Sequence, residues 1–357
     1  MQTYVGLVTL LAACGAANST RESAARKTAS QEQPAAVDGG GAPSAAKSSA
    51  APEPTPAAVQ PAPPPSCPPA SPPPAVEPPE PRTAQSGDGE WTRLGDASRG
   101  ERAAQGEALL YRTVLHPHPA SRFVSVTLAA IDLCRARLGF VPGVQDVPQV
   151  ELGIRRGLVP ETDRAAVIAV FNGGYKPEHG HFGMFAAGTT LVPAREDACT
   201  LLISKQGRIE ISGHKPEPGA ELIAFRQTPP CLFEQGALDA RLASGNEKPW
   251  GGQAKDLVTR RRSALAVTLD ARYLIYAVGE EAGPRYLAKA LLAAGAAVGA
   301  ELDINWYWTR FLLLSERDGR LAVGSSLISG MEYQPTSYVE RASDRDFFYV
   351  MRRPSGS

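Results

Sequence analysis

Residues 284–305 read PRYLAKALLAAGAAVGAELDIN. Pro284 suits the first position of a helix, where a missing N–H leaves nothing unsatisfied. Leu287, Ala290, Leu291 and Ala294 recur on one face at helical spacing. Gly295 is placed to stop that helix, since it accepts left-handed backbone without a steric penalty. An apolar strand follows and closes in Glu301-Leu302-Asp303-Ile304-Asn305. Just upstream, ALAVTL (264–269) and YLIYAV (273–278) read as strands. The strand–helix–strand unit predicts an α+β domain with a mixed sheet and few helices.

Working outward, strand patterns recur at 108–115, 122–133, 166–171, 200–204 and 208–211. Short turn signals join several of them. Lys205-Gln206-Gly207-Arg208, Leu269-Asp270-Ala271-Arg272 and Arg317-Asp318-Gly319-Arg320 each predict a hairpin. No repeat of fixed period is present. Full sequence complexity runs from Trp91 to Arg353, about 260 residues, enough for one well-buried domain.

The N-terminal part differs in kind. MQTYVGLVTLLAACGA carries an apolar run too short to cross a bilayer, closed by small residues, as in a signal peptide. Its Leu-Ala-Ala-Cys ending resembles a bacterial lipobox. That resemblance implies cleavage before Cys14, lipidation of its sulfur and membrane attachment in the bacterial envelope. No Lys or Arg precedes the run. Residues 15–90 are expected to be a disordered linker, and 15 of the 30 residues from Pro52 to Pro81 are proline. Such a segment has little apolar bulk to bury and favours polyproline II. At about 3.1 Å per extended residue it could hold a domain far from an anchor. The expected organisation is therefore a signal segment at 1–14, a linker at 15–90 and a folded domain at 91–353.

The chain carries 37 basic and 37 acidic residues, and this balance gives no electrostatic footprint for nucleic acid. Of the five cysteines, Cys14 and Cys67 fall in the N-terminal part. An oxidising compartment would allow one disulfide among Cys134, Cys199 and Cys231, with the pair left open. No CxxC or CxxH spacing supports a structural zinc site, and no metal site is expected.

Four stretches place polar residues beside apolar strands. In VFNGGYKPEHGHFGMF (170–185), Asn172 ends a strand, and Gly173 and Gly174 would let the backbone approach a ligand. Glu178, His179 and His181 follow on a loop and could hydrogen-bond an anion or a sugar. In FRQTPPCLFEQG (225–236), Arg226 could fork onto a phosphate or carboxylate and Gln227 could grip a hydroxyl. In RRRSALAV (260–267), Arg262 and Ser263 lie nearest the strand and are the pair expected to face a site. The fourth is ELDIN. Continued as a strand, it would put Glu301, Asp303 and Asn305 on one face, with Leu302, Ile304 and Trp306 on the other. A carboxylate within such an apolar run is either matched by an arginine or poised for proton transfer.

In order and spacing these stretches resemble the phosphodiester glycosidase family, whose members include the lysosomal uncovering enzyme and many bacterial envelope proteins. Asn172–Tyr175 with Gly183 match its first motif, Arg262-Ser263 with the strands through Val278 its second. Leu287–Gly295 and Leu302-Asp303 match its last. The likeness spans about residues 108–350. Where the family has Gly-Gly-Gly-Ser after the aspartate, this chain has Ile304-Asn305-Trp306-Tyr307, as in a bacterial subgroup with Glu-Leu-Asp-X-Asn. Glycine amides can cradle a phosphate, whereas aromatics can only stack on a sugar ring.

The resemblance implies an exported, lipid-anchored hydrolase that cleaves a glycosyl phosphodiester or a related glycan bond. Asp303 is the expected catalytic carboxylate, with Glu301, Glu280 or Glu178 as the second acid/base group. Arg262 and Arg226 would neutralise phosphate. Asn172, Gln227 and Asn305 would orient hydroxyls, and Trp306 or Trp308 would stack. No cofactor is expected, although calcium use in some relatives raises that ion by resemblance. The other reading is a non-catalytic glycan- or wall-binding module on the same scaffold.

Overall fold

The computed structural model describes residues 67–251 and 260–354. The signal segment, Cys14 and linker residues 15–66 lie outside them.

Three sheets build the domain. The largest has eight strands in the order β1-β2-β3-β14-β13-β15-β11-β12. They are β1 (Thr92–Arg93), β2 (Leu110–Leu115), β3 (Ser125–Asp132), β14 (Tyr273–Glu280), β13 (Arg262–Thr268), β15 (Ala296–Glu301), β11 (Phe233–Glu234) and β12 (Ala237–Leu238). A second sheet runs β17-β16-β5-β18-β4, formed by β17 (Arg320–Ser326), β16 (Phe311–Arg317), β5 (Val167–Asn172), β18 (Phe347–Arg352) and β4 (Ala136–Val141). The third runs β7-β6-β10-β8-β9, from β7 (Thr189–Val192), β6 (Met184–Ala186), β10 (Leu222–Thr228), β8 (Cys199–Ser204) and β9 (Ile209–Ser212). Among the described residues there are two α-helices, the single turn α1 (Ala240–Ala243) and α2 (Pro284–Ala293).

The central hairpin β13–β14 is buried on both faces, which is why it reads as a continuous apolar run. Leu265, Val267, Leu274, Tyr276 and Val278 join the large core shared with the other two sheets. The alternate residues Ala264, Ala266, Ile275 and Ala277 pack beneath α2, against Leu287 and Leu291. Small residues on that side let the helix approach closely. Pro284 is the first residue of α2, and Gly295 takes φ 79° just past its end. The three expected hairpins form as β8–β9, β13–β14 and β16–β17.

Two expectations need correction. Neighbouring strands of all three sheets pair antiparallel, not mixed. The crossover from β14 through α2 to β15 does make those two strands parallel, but β13 inserts between them and runs against both. Residues 67–90, expected to be linker, are part of the domain. Cys67 is disulfide-bonded to Cys134, and Cys199 pairs with Cys231. The proline-rich strap offers carbonyls as acceptors while needing few donors. Arg135 donates to Pro68 O at 2.6 Å, Tyr273 to Ser71 O at 2.7 Å and Trp91 to Pro74 O at 3.0 Å. Val76 is buried in the core beneath the strap, and Thr83 donates to His118 O at 2.8 Å.

Replacing Cys67 and Cys134 together by serine is expected to lower the unfolding free energy by about 2–4 kcal/mol, read by chemical denaturation without reductant. An unchanged midpoint would mean that the strap is not part of the cooperative unit.

Candidate functional site

The strand β15 ends at Glu301, so the alternation expected through Asn305 stops there. Leu302 N still donates to Ser263 O on β13 at 2.8 Å. Asp303 N then turns to Gly173 O at 3.1 Å, beyond the end of β5. The chain thus crosses from the first sheet to the second between two acidic residues. Glu301 and Asp303 enter different surroundings as a result.

Glu301 is fully buried. Its Oε2 accepts from Tyr175 Oη at 2.6 Å and its Oε1 from Arg262 Nη1 at 2.9 Å. Arg262 also donates to Trp250 O at 2.7 Å. Burial pushes the Glu301 carboxyl up to about 7, against the opposing pull of Arg262 and Tyr175.

Asp303 belongs to a chain of charges that sequence reading did not anticipate. Its Oδ1 accepts from Ile304 N at 2.8 Å, and its Oδ2 lies 3.5 Å from Arg345 Nη1. Arg345 binds Asp146 at 2.8 Å and stands 4.0 Å from Asp346. Asp346 binds Arg226 at 2.7 Å. Three carboxylates thus share two guanidiniums in a nearly dry setting. Burial raises the Asp303 carboxyl above its ordinary range, with Arg345 opposing. Burial, reinforced by Asp346, raises Asp146 to about 6. The side chains of Asp146, Asp346 and Arg226 have no exposed surface, while Asp303 keeps a tenth of its own. Arg345 Nη1 and Asp346 Oδ1 are buried without a hydrogen-bond partner. Asp303 is therefore the least buried carboxylate of this network.

The structure brings 172–174, 226, 262–263, 301 and 303 into contiguous bonding, but several in roles other than those expected. Asn172 Oδ1 accepts from Tyr276 Oη and Arg310 N, at 2.9 and 3.0 Å. Its Nδ2 donates to Ser263 Oγ and Gly173 O, at 2.9 and 3.0 Å. Ser263 in turn donates to Asp303 O at 2.9 Å. Both residues hold the backbone around Asp303 instead of a sugar. Gln227 is saturated in the same way by Gly183 N, Arg195 N, Arg195 O and Thr200 Oγ1, so it has no group left for a hydroxyl. Arg226, fully buried, is spent on Asp346 and on the carbonyls of Tyr175, Phe182 and Gln227, so it cannot reach a phosphate. Arg262 is spent on Glu301 and Trp250.

The glycines serve packing rather than a ligand. A Cβ on Gly173 would stand 2.2 Å from Asp346 Oδ2, and one on Gly174 would stand 3.0 Å from Arg226 Cζ. Asn305 Oδ1 caps its own turn, accepting from Tyr307 N at 2.9 Å and Trp308 N at 2.8 Å. Trp306 is half exposed, with the Arg261 guanidinium 4.4 Å over its ring, and Arg261 also holds Glu280 at 2.8 Å. Glu280 and Trp306 thus share Arg261 as their partner, and neither is bonded to Asp303 among the described residues. Glu178, His179 and His181 stand on an exposed loop, where a backbone hydrogen bond holds the Glu178 carboxyl below its ordinary range and Lys176 lies 3.7 Å away. Among the described residues no three His, Cys, Asp or Glu side chains group as metal ligands. Asp146, Arg345 and Asp346 were missed. The available signal was Asp344-Arg345-Asp346 abutting the apolar strand that begins at Phe347.

No protein-family model matches the chain, and no curated protein matches its sequence. Among solved structures it is similar to the catalytic domain of zebrafish N-acetylglucosamine-1-phosphodiester alpha-N-acetylglucosaminidase, auto-inhibited by its pro-peptide. That match has 14% identity and TM-score 0.44, covering 74% of this chain and 88% of the other. A hypothetical protein from Synechocystis gives 13% identity and TM-score 0.34, over 68% of this chain and 62% of the other. Each is a distant likeness that assigns no role to any residue here.

The raised Glu301 carboxyl sets a pH dependence. Its neutral form is favoured by folding, so that stability is full below about pH 4.5 and fades as pH rises towards 7. Glu301→Gln should remove this slope. Between pH 4.5 and 7.5 the wild type should lose up to about 3 kcal/mol relative to the variant in chemical denaturation. A constant difference would mean that Arg262 keeps the carboxylate ionised throughout.

Proposed function

We propose that this chain is an exported hydrolase that cleaves a glycosyl phosphodiester or a related glycan bond, with Asp303 as its acid/base group. One observation carries this reading. Asp303 is the carboxylate of a buried charge network that reaches solvent, with a raised pKa and an arginine 3.5 Å away. A carboxyl held there can protonate a leaving oxygen, and Arg345 can offset charge that develops beside it. Arg345 replaces Arg226 and Arg262 in that role, because both of those are consumed by the scaffold. Glu301 is unsuited as the second carboxylate, since both its oxygens are occupied away from solvent. Glu178 remains for the second carboxylate, on an exposed loop with His179 and His181 beside it to meet the substrate. The two disulfides support export to an oxidising compartment. Lipid attachment at Cys14 and residence in the bacterial envelope belong to the same proposal.

Saturation of Asn172, Arg226, Gln227 and Glu301 by the protein itself favours the second reading, a glycan-binding module without turnover. The two separate on a chromogenic sugar-1-phosphodiester and on immobilised cell-wall polymer. Asp303→Asn should lower turnover by about 10²–10⁴-fold while the circular dichroism spectrum and melting midpoint persist. Turnover retained in that variant would remove Asp303 from the reaction. Polymer binding by a wild type that shows no turnover would favour the module.

A further inference from the structure

Beside the Asp303 network lies a cavity of about 370 Å³ whose walls include Trp308, Arg310, Glu332, Tyr333, Arg341 and Asp344. That size falls within the range of small-ligand sites, about 300–1,000 Å³. The lining is polar and charged, yet its charges are not spent on one another. Among the described residues none of Arg310, Arg341, Glu332 or Asp344 makes a side-chain ion pair. Arg310 Nε is buried with no hydrogen-bond partner. Arg310 and Asp344 are half-buried, where charges usually find partners, and the unmet Arg310 Nε in particular leaves this hollow with a donor for a ligand; Glu332 and Arg341 stand exposed at its rim.

The walls are held in advance of any ligand. Val323 N donates to Pro335 O at 2.8 Å, Val159 N to Tyr338 O at 2.8 Å, and Ser343 N to Gly157 O at 2.7 Å. Tyr338 packs edge-on against Phe347 at 4.7 Å. Such a cavity loses little conformational freedom on binding.

Trp308 links the cavity to the acid. The Arg310 and Arg345 guanidiniums lie 5.9 and 5.7 Å from its ring, and Arg345 is the residue that faces Asp303. An aromatic face with carboxylates and guanidiniums around it suits a sugar: the ring stacks, and paired hydroxyls meet the charged groups. The two open arginines add a fork for an acidic substituent.

We infer that this cavity is a subsite for one acidic saccharide unit, stacked on Trp308. Its anionic group meets Arg310 and Arg341, and its hydroxyls meet Glu332 and Asp344. The inference rests on the glycan reading above for the class of ligand, and it does not need Asp303 to be catalytic.

The test is titration calorimetry on the full chain at low salt. A glucuronate–N-acetylglucosamine disaccharide is compared with chitobiose, which has the same size without the acid. The acidic disaccharide should bind at least about tenfold tighter, with an advantage that shrinks as salt rises. Trp308→Ala and Arg341→Ala should each weaken it by about tenfold or more. Arg341 is exposed and has no side-chain partner among the described residues, so its loss should leave the fold intact. Equal affinity for the two sugars, no binding of either, or wild-type affinity in both variants would overturn the subsite. Turnover of the sugar-1-phosphodiester without acidic-disaccharide binding removes the subsite alone. Binding without turnover removes only the catalytic reading.

Discussion

The constraint on which the site depends is the cost of burying carboxylates. Asp346 has no exposed side-chain surface, and it is tolerated because Arg226 meets it at 2.7 Å. That one contact joins β10 to the approach of β18. Gly173 N and Gly174 N then bond to Asp346, through its carbonyl at 2.9 Å and its Oδ2 at 3.1 Å, which brings in the end of β5. Removing either charge would strand its partner in a low-dielectric interior, where an uncompensated ion is strongly destabilising. The geometry around Asp303 is therefore over-determined by groups that have no need to touch a substrate.

The same physics separates the two acids that sequence placed side by side. Glu301 is closed in by Tyr175 and Arg262, with both oxygens in short hydrogen bonds. Asp303, two residues later, has one oxygen fixed by Ile304 N and the other held only loosely at 3.5 Å. A fully buried carboxylate with a hydrogen bond on each oxygen stabilises a fold or merely responds to pH. Asp303 keeps one oxygen without a hydrogen bond and a tenth of its side chain exposed, which is what the proposed role requires. What distinguishes them is the change of sheet between the two positions, since the backbone rotates as it leaves β13 for Gly173.

Much of the scaffold was legible because local rules dominate there. Pro284 and Gly295 bracket α2, and the Gly- and Asp-bearing turns mark three hairpins, all of them short-range signals. The antiparallel insertion of β13 between β14 and β15 is a long-range fact that periodicity cannot carry. The strap at 67–90 was hidden for a different reason. Its proline content signals disorder by composition, but its anchoring comes from a disulfide and from side chains of Arg135, Tyr273 and Trp91 reaching carbonyls. At the site, glycines and polar residues beside strands correctly marked a place where chain segments meet. They could not tell a group that faces a ligand from one that braces the wall, because that depends on how many hydrogen bonds each group has already made. Arg345 escaped notice since its three-residue charged run resembles any solvated loop.

The aromatic turn after Asp303 shows how the chemistry must be arranged here. A glycine loop could present free amides to an anion, but this turn has few to present. Asp303 N is bound to Gly173 O, and Ile304 N to Asp303 Oδ1. Asn305 N meets Thr309 Oγ1, and the amides of Tyr307 and Trp308 are both taken by Asn305 Oδ1. Ile304 packs against Tyr175, Phe182 and Ala198, so the turn is anchored as well as capped. Charge on a substrate must therefore be met by side chains and not by backbone. Two guanidiniums lie over the Trp308 ring: Arg310, whose Nε is unmet, and Arg345, which is already bonded to Asp146 and Gly174 O. The turn therefore differs from a glycine loop in what it leaves uncommitted: aromatic faces and side-chain charge, with few free backbone amides.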